Sequence, residues 1–472
     1  MSSLAVFFAV KGNLVEGSDL QNCENLSSLC QFGIKYNIGH YEKNIKDFNP
    51  NIVVYNSAIN EENPELAWAI KKKKKIISRA EALAIICKGF KNVIAISGTH
   101  GKTTTTALIS EIMREANLHP TVHIGGVLKS CCSNFLIGDR KFFITEACEY
   151  KNSFLTLSPS LGVVLNVEPD HLDFFKNLSE IKQSFNKFLE NSKAKLFKIN
   201  EFEYCLKTQK FQKYYFAKNV KKNDIGFFFD FYENENLIGR IQTNFQGEHN
   251  AKNALVAAIV ANFYKIRIQT IKRAIKNFKG VKRRFERITK ISGAVVIHDY
   301  AHHPTEIEKV IEQAKRYGRI LTVFQPHTFS RTKKLLSQFT TCFNQSNQLI
   351  LLKTYPAREE EIKGATGKDL FEKIINKNRI LKFKNENKIY VKSNHIYKLI
   401  NYSYFIQKNN KINFSQNIHK KYNSNLTKIS YFETFDQARE KILNEAKKFG
   451  CILILGAGDI NELAYSLKKF KK

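Results

Sequence analysis

The chain has 472 residues, a formal net charge of +32 and 43% hydrophobic side chains, which predicts roughly three domains with packed cores and excludes a disordered chain. Its lysines are spread throughout among abundant Asn, Ile, Phe and Tyr, as A/T-biased codons would produce, so the charge marks no nucleic-acid face and no nucleic-acid partner is expected. No apolar run approaches the ~18 residues that cross a bilayer, and the opening MSSLAVFFAVKGNLVEGSDL lacks a basic start and a small-residue cleavage site, so neither a membrane partner nor a secretory leader is expected.

Residues 1–89 alternate helix-like and strand-like pieces, with a helix around Ser3–Phe8. NIVVYNSAI (51–59) and KIISRAEALAIICK (75–88) read as a buried strand, a turn, and a second strand leading into a helix. The run Lys71–Lys75 reads as a solvated turn. KNVIAIS (91–97) is a short apolar strand bounded by Gly98, and Thr103 to Glu115 has the helical spacing of Ala107, Leu108, Ile112 and Met113. KFFITEA and LGVVLNV read as strands, and SEIKQSFNKFLEN and GEHNAKNALVAAIVA as helices. A second region begins near Gly293 with AVVIHDY, ILTVFQPH, LILLKTY and finally CILILGAGDI. Strands separated by helical patterns predict an α/β chain with parallel sheets and crossover helices. Residues 384–428, rich in Asn, Lys and Tyr without periodicity, read as an inserted mobile loop. Nine cysteines, odd in number and without a CxxC pair, read as reduced thiols of a cytoplasmic protein, and Cys131–Cys132 as loop packing.

Strand, glycine loop, helix is the context a phosphate site requires. Gly98, Thr99, His100, Gly101, Lys102, Thr103 and Thr104 can form a nest of backbone N–H groups at a helix N-terminus. Lys102 would reach the β- and γ-phosphates of ATP and the Thr103 hydroxyl a Mg²⁺ ion. The general pattern needs a glycine where Ile96 stands, which leaves a shorter G-T-x-G-K-T loop. TEACEY supplies Glu146 and Glu149, and NVEPDHLDFF supplies Glu168, Asp170, His171 and Asp173, all just past strand C-termini, where a ligand crevice forms. Hard carboxylate oxygens there suit Mg²⁺ on ATP. Asn250 and Asn253 share a helix face and could pair with an adenine edge; N-capping by Asn250 is an equally good account.

In this order GTHGKTT, EACEY, EPDHLD, GEHNAKNA, KRRFE, HDYAHHPTE, FQPHTFSRT and LGAGDI resemble the Mur ligases of peptidoglycan synthesis, over nearly the whole chain apart from 384–428. FQPHTFSRT with DYAHHPTE resembles the branch that adds L-alanine, not the one that recycles murein tripeptide. The resemblance implies three domains: a Rossmann-like UDP-sugar-binding domain (1–89), a P-loop ATPase ligase domain (90–285) and a Rossmann-like C-terminal domain (286–472). It implies ATP-dependent joining of L-alanine to the lactyl carboxylate of UDP-N-acetylmuramate through an acyl phosphate, with Mg²⁺, in a cytoplasmic monomer or weak homodimer. By resemblance Lys102, His171 and Asp299 are catalytic. Thr103 and Glu149 hold one Mg²⁺ and His171 a second. Asn250 and Asn253 face the adenine, and Arg284 approaches the ATP phosphates. His302, His303, His327 and Arg331 bind substrate, one of the His302–His303 pair being structural; an arginine fork suits the alanine carboxylate. Two departures stand out. The family usually carries an acid where His298 stands, so the charge beside Asp299 is altered. It also has a strand and a G-x-G-G-x-G turn ahead of the MSSLA equivalent, whereas this sequence opens at Met1. The expectation is therefore of a truncated first domain and weak sugar-nucleotide binding, with a degenerate ATP-binding homologue lacking ligase activity as the alternative.

Overall fold

The computed structural model describes residues 1–20, 28–56, 59–171, 174–357, 359–377, 389–390, 396–397, 403–405, 426 and 428–470. They form two compact units. The first is Met1–Asp170, Asn177–Phe245 and Asn250–Lys279; the second is His171–Lys176, Gln246–His249 and Gly280–Lys472.

In the first unit, β1 (Glu16–Asp19) pairs in parallel with β2 (Lys35–Ile38), and β3 (Ile52–Tyr55) with β4 (Lys75–Ser78). Parallel neighbours need a crossover, and the helix Pro64–Lys71, just ahead of the lysine run, supplies it. Asn63 caps it by accepting from the N–H groups of Glu65 and Leu66, with Pro64 at its first position. β3 is less buried than expected, since its ladder has two strands and Ile52 lies open. Val53 and Ile76 pack on a small core of Ile45, Trp68 and Ala69. Lys71 ends the helix Pro64–Lys71 and Lys75 opens β4, so the expected solvated turn shrinks to the residues between them, of which Lys72 and Lys73 are exposed. The opening helix Ser2–Val10 sets Phe7 edge-on against Phe135, with ring centres 6.3 Å apart.

The main sheet of this unit has ten strands. β5 (Asn92–Ser97), β6 (Thr121–Leu128), β8 (Phe142–Glu146), β9 (Leu161–Val164) and β10 (Ala194–Asn200) run parallel in the order β10-β9-β5-β8-β6, and β7 (Ser133–Leu136) closes one edge antiparallel. The expected strand–loop–helix unit is present: β5 leads into the helix Lys102–Glu115, whose Ala107, Leu108, Ile112 and Met113 are fully buried. The parallel crossover pattern stops at β10. β11 (Glu203–Lys207), β12 (Gln212–Lys222), β13 (Phe227–Glu233) and β14 (Asn236–Gln242) continue the sheet as an antiparallel meander, because their connections are too short for crossovers.

The second unit holds β15 (Glu286–Ile291), β16 (Ala294–Asp299), β17 (Ile320–Phe324) and β18 (Gln348–Leu352), the short pair β19 (Ile389–Tyr390) and β20 (Ile396–Tyr397), then β21 (Ser403–Phe405), β22 (Lys428–Phe432) and β23 (Cys451–Leu455). Its sheet order is β15-β16-β23-β17-β18-β22-β21, parallel except for the two edge strands. Cores lie on both faces, as a parallel sheet requires. The expected mobile loop at 384–428 falls largely outside the described residues; what is described of it is β19 to β21, Leu426 and the first residue of β22. Among the described residues no helix is long and apolar enough to cross a membrane.

Candidate functional site

In the first unit the G-T-x-G-K-T loop, the expected phosphate site, follows β5. Gly98 has φ 139° and Gly101 φ 87°, both in the region that favours glycine. A Cβ on Gly98 would stand 3.0 Å from Leu165 Cβ and 3.2 Å from the Asn166 backbone nitrogen, and one on Gly101 would stand 2.6 Å from Asn253 Oδ1. The segment after β9 clamps the loop from outside. Asn166 Oδ1 accepts from His100 N–H at 2.9 Å, and its amide donates to His100 O at 3.0 Å. Thr99 Oγ1 accepts from Glu168 N–H at 2.9 Å and donates to Glu168 O at 3.2 Å. Asn166 escaped the sequence reading, although its place directly beyond an apolar strand is the signal that marked Glu146 and Glu149.

Lys102 opens the helix and folds back over the loop. Its ammonium donates to Gly98 O at 2.5 Å, to Thr99 O at 3.2 Å and to both Glu149 oxygens at 3.0 Å. Burial works against its charge, but Glu149, helped by Cys148 and Glu146, holds its pKa above the ordinary lysine value. The Lys102 side chain is 17% exposed and that of Glu149 3%, so the pair is a desolvated one aimed at the loop. Glu149 and Asp170 bring carboxylate oxygens within 4.8 Å of each other. With the Thr103 hydroxyl in the first turn of the same helix, these hard oxygens fit a divalent cation. Asp170 thereby joins the expected metal group. His171 follows it directly, in the left-handed region at φ 51°, and its carbonyl accepts from Phe174 and Phe175 N–H. Thr104 lies in the same first helical turn, half-buried.

The helix Glu248–Phe263 begins two residues before Asn250, so Asn250 is not its N-cap, and that account of it falls. Asn253 is buried against Gly101 and donates to Asn250 Oδ1 at 3.3 Å, which places both amides beside the phosphate loop.

The second unit carries the remaining candidates. Asp299 is buried, and both its oxygens are engaged: Oδ2 accepts from Phe285 N–H at 2.6 Å and Oδ1 from Ala301 N–H at 2.8 Å. Burial pushes its pKa up to about 6, against the pull of Arg284 and the two N–H groups. The carboxylate thus ties KRRFE to the turn after β16. Arg284 stands 5.0 Å from the Tyr300 ring centre and Arg283 4.9 Å. Arg283 also donates to Gly456 O and Gly458 O, fastening the glycine loop after β23. His298 is fully buried with Nδ1 3.1 Å from Ile454 O, and burial lowers its pKa to about 4. The departure noted there is therefore the loss of a negative charge, with no positive one in its place.

His303 accepts from Thr305 N–H at 3.3 Å and caps the helix Pro304–Ala314 in a capping box with Glu306. Its Nδ1 thus has a structural role at the helix start. His302 donates from Nδ1 to Tyr300 O at 3.0 Å and turns its ring towards His327, 5.9 Å away. Burial, with His302 and Arg331 adding to it, lowers the His327 pKa to about 3, so this imidazole is neutral. Arg331 Nη1 lies 3.3 Å from His327 Nδ1. Two residues missed from sequence hold this group. Tyr355 stacks on His327 at 5.5 Å and accepts from Thr328 N–H, and Glu359 takes both the N–H and the hydroxyl of Ser330. A neutral imidazole beside an arginine makes a seat for a small carboxylate.

Three family models match the chain: "Mur ligase family, catalytic domain" over residues 1–91, "Mur ligase middle domain" over 96–261 and "Mur ligase, glutamate ligase domain" over 283–395. The UDP-N-acetylmuramate–L-alanine ligase of Caldicellulosiruptor saccharolyticus is 36% identical over 482 aligned residues, covering 98% of this chain and 94% of that protein. The enzyme of the same name from Clostridium kluyveri is 41% identical over 79% of this chain and 85% of its own. Among solved structures, UDP-N-acetylmuramate-alanine ligase from Thermotoga maritima superposes with a TM-score of 0.73 at 21% identity, covering 100% of this chain and 95% of that one. A murein peptide ligase from Psychrobacter arcticus does so at 0.62 and 18%, covering 100% and 97%. These two share the fold.

Proposed function

The chain belongs to the Mur ligase family, and we propose that it joins L-alanine to UDP-N-acetylmuramate at the expense of ATP, a cytoplasmic step of peptidoglycan precursor synthesis. The observation that carries this reading is the identity to L-alanine ligases along 98% of the chain. The intact phosphate loop, with Lys102 held on Glu149, supports it, and a degenerate homologue is not favoured.

In this reading a lactyl carboxylate oxygen attacks the γ-phosphorus of ATP, the bond to the β,γ-bridging oxygen breaks, and ADP leaves an acyl phosphate. The amine of L-alanine then attacks the acyl carbon, phosphate departs, and the nitrogen gives up a proton. Such transfers depend on positioning and charge neutralisation. The loop N–H groups from Gly98 to Thr104 cradle phosphate oxygens, and Lys102 faces the charge that builds as the phosphoryl group moves. A Mg²⁺ ion held by Thr103, Glu149, Asp170 and His171 would offset phosphate charge. Asn250 and Asn253 take the adenine side, and Arg284 a phosphate oxygen. Asp299 acts as a positioning residue through its two backbone bonds. Arg331 holds the alanine carboxylate while His302 and His327, with Tyr355 behind, shape a seat for a small side chain.

The test is a product assay with UDP-N-acetylmuramate, ATP, Mg²⁺ and alanine, glycine or serine. The expected result is one ADP per adduct, with alanine preferred. ADP release that ignores the sugar nucleotide, or the absence of any adduct, would overturn the reading.

A further inference from the structure

Arg79 is the first residue of the helix Arg79–Lys88, and its guanidinium reaches the C-terminal edge of the ten-stranded sheet. Ser78 and Glu81 close a capping box at the helix start, so the nearest acid in sequence is engaged with the Ser78 backbone. Thr156 donates to Ala80 O, seating the same helix end on the segment that follows Glu149. Arg79 Nη2 lies 3.4 Å from His123 Nε2. The tautomer follows from the network. Thr145 Oγ1 donates to Glu146 O at 3.0 Å, so at 2.9 Å it accepts from His123 Nδ1–H, and Nε2 is left as an acceptor for the guanidinium. Burial, with Arg79 adding to it, lowers the His123 pKa to about 3 and keeps the ring neutral. Among the described residues no carboxylate lies within ion-pair distance of Arg79, so its charge is oriented but not neutralised. His123 pairs with Thr145, which also pairs with Ala95, so the guanidinium sits near the level at which β5 runs into the phosphate loop. A half-buried arginine held by a neutral acceptor at that edge is built to receive an anion.

We propose that Arg79 binds the lactyl carboxylate of the sugar nucleotide and holds it for attack on the γ-phosphate. This rests on the functional reading above. A carboxylate approaching a triphosphate is repelled, and a cation contributed by the first domain offsets that repulsion on the acid's own side.

The experiment titrates UDP-N-acetylmuramate, UDP-N-acetylglucosamine and ATP against the full chain and its Arg79→Gln and Arg79→Lys variants. UDP-N-acetylglucosamine shares the diphosphate and lacks the lactyl carboxylate. Arg79→Gln is expected to bind UDP-N-acetylmuramate at least about tenfold more weakly, with UDP-N-acetylglucosamine and ATP within about twofold, and Arg79→Lys to recover part of the loss. Equal loss for both sugar nucleotides would place Arg79 on the diphosphate and overturn the proposal; unchanged affinity for both would also overturn it. Should Arg79→Gln lose ATP binding as well, the same titrations on the charge-retaining Arg79→Lys decide. Failure of the unaltered protein to make the alanine adduct counts against the functional reading itself, whatever Arg79 binds.

Discussion

Lys102→Ala is expected to lower kcat by about 10²- to 10³-fold, because under the proposed function it removes the charge that faces the transferring phosphoryl group. The structure adds a second consequence. Glu149 is nearly fully buried and both its oxygens face the Lys102 ammonium, so truncation strands a carboxylate without its cation. Breaking such a pair costs about 3–5 kcal/mol when nothing replaces it. The variant should therefore melt earlier than the parent without Mg²⁺ and regain part of the difference with Mg²⁺ present, since the ion supplies a cation beside Glu149 in place of the lost ammonium. Steady-state ligation and thermal melting with and without Mg²⁺ check both effects. Near-parental ligation would contradict the role given to Lys102.

Gly98→Ala is the second large effect. At φ 139° an alanine is strained whatever space surrounds it, and here the new methyl meets Leu165 Cβ and the Asn166 backbone at 3.0–3.2 Å. Strain of this kind costs about 1–3 kcal/mol. Relief must come from moving the loop or the strand end that carries Asn166, and either disturbs the clamp on His100. The expected outcome is ATP affinity reduced by at least about tenfold, beyond the loss in thermal stability. Gly280→Ala, also at positive φ but with open space around it, is the control for backbone strain alone. Equal ATP affinity in Gly98→Ala and the parent would contradict the tight loop geometry.

The strand–glycine loop–helix unit was legible in the sequence because all its determinants are local: an apolar strand, two glycines, a lysine and a helical pattern within residues 92–115. Its clamp was not, since Asn166 and His100 meet across 66 positions and nothing in their spacing announces the contact. The histidine pair shows the same limit. The cap that His303 makes on the Thr305 N–H depends on backbone geometry, and two adjacent histidines in sequence do not announce it. Asp299 entered the site by resemblance alone, and its two backbone acceptor bonds are invisible in sequence. The antiparallel half of the large sheet went unread because β11 to β14 alternate without glycine-rich turns of the strongest hairpin type.

The central claim is that the lactyl carboxylate itself attacks ATP, and isotope transfer tests it most directly. With ¹⁸O in that carboxylate, complete reactions containing L-alanine should release inorganic phosphate carrying one ¹⁸O for each adduct formed, because the acyl phosphate bridging oxygen leaves with phosphate. Phosphate free of label, formed alongside adduct, would contradict the account.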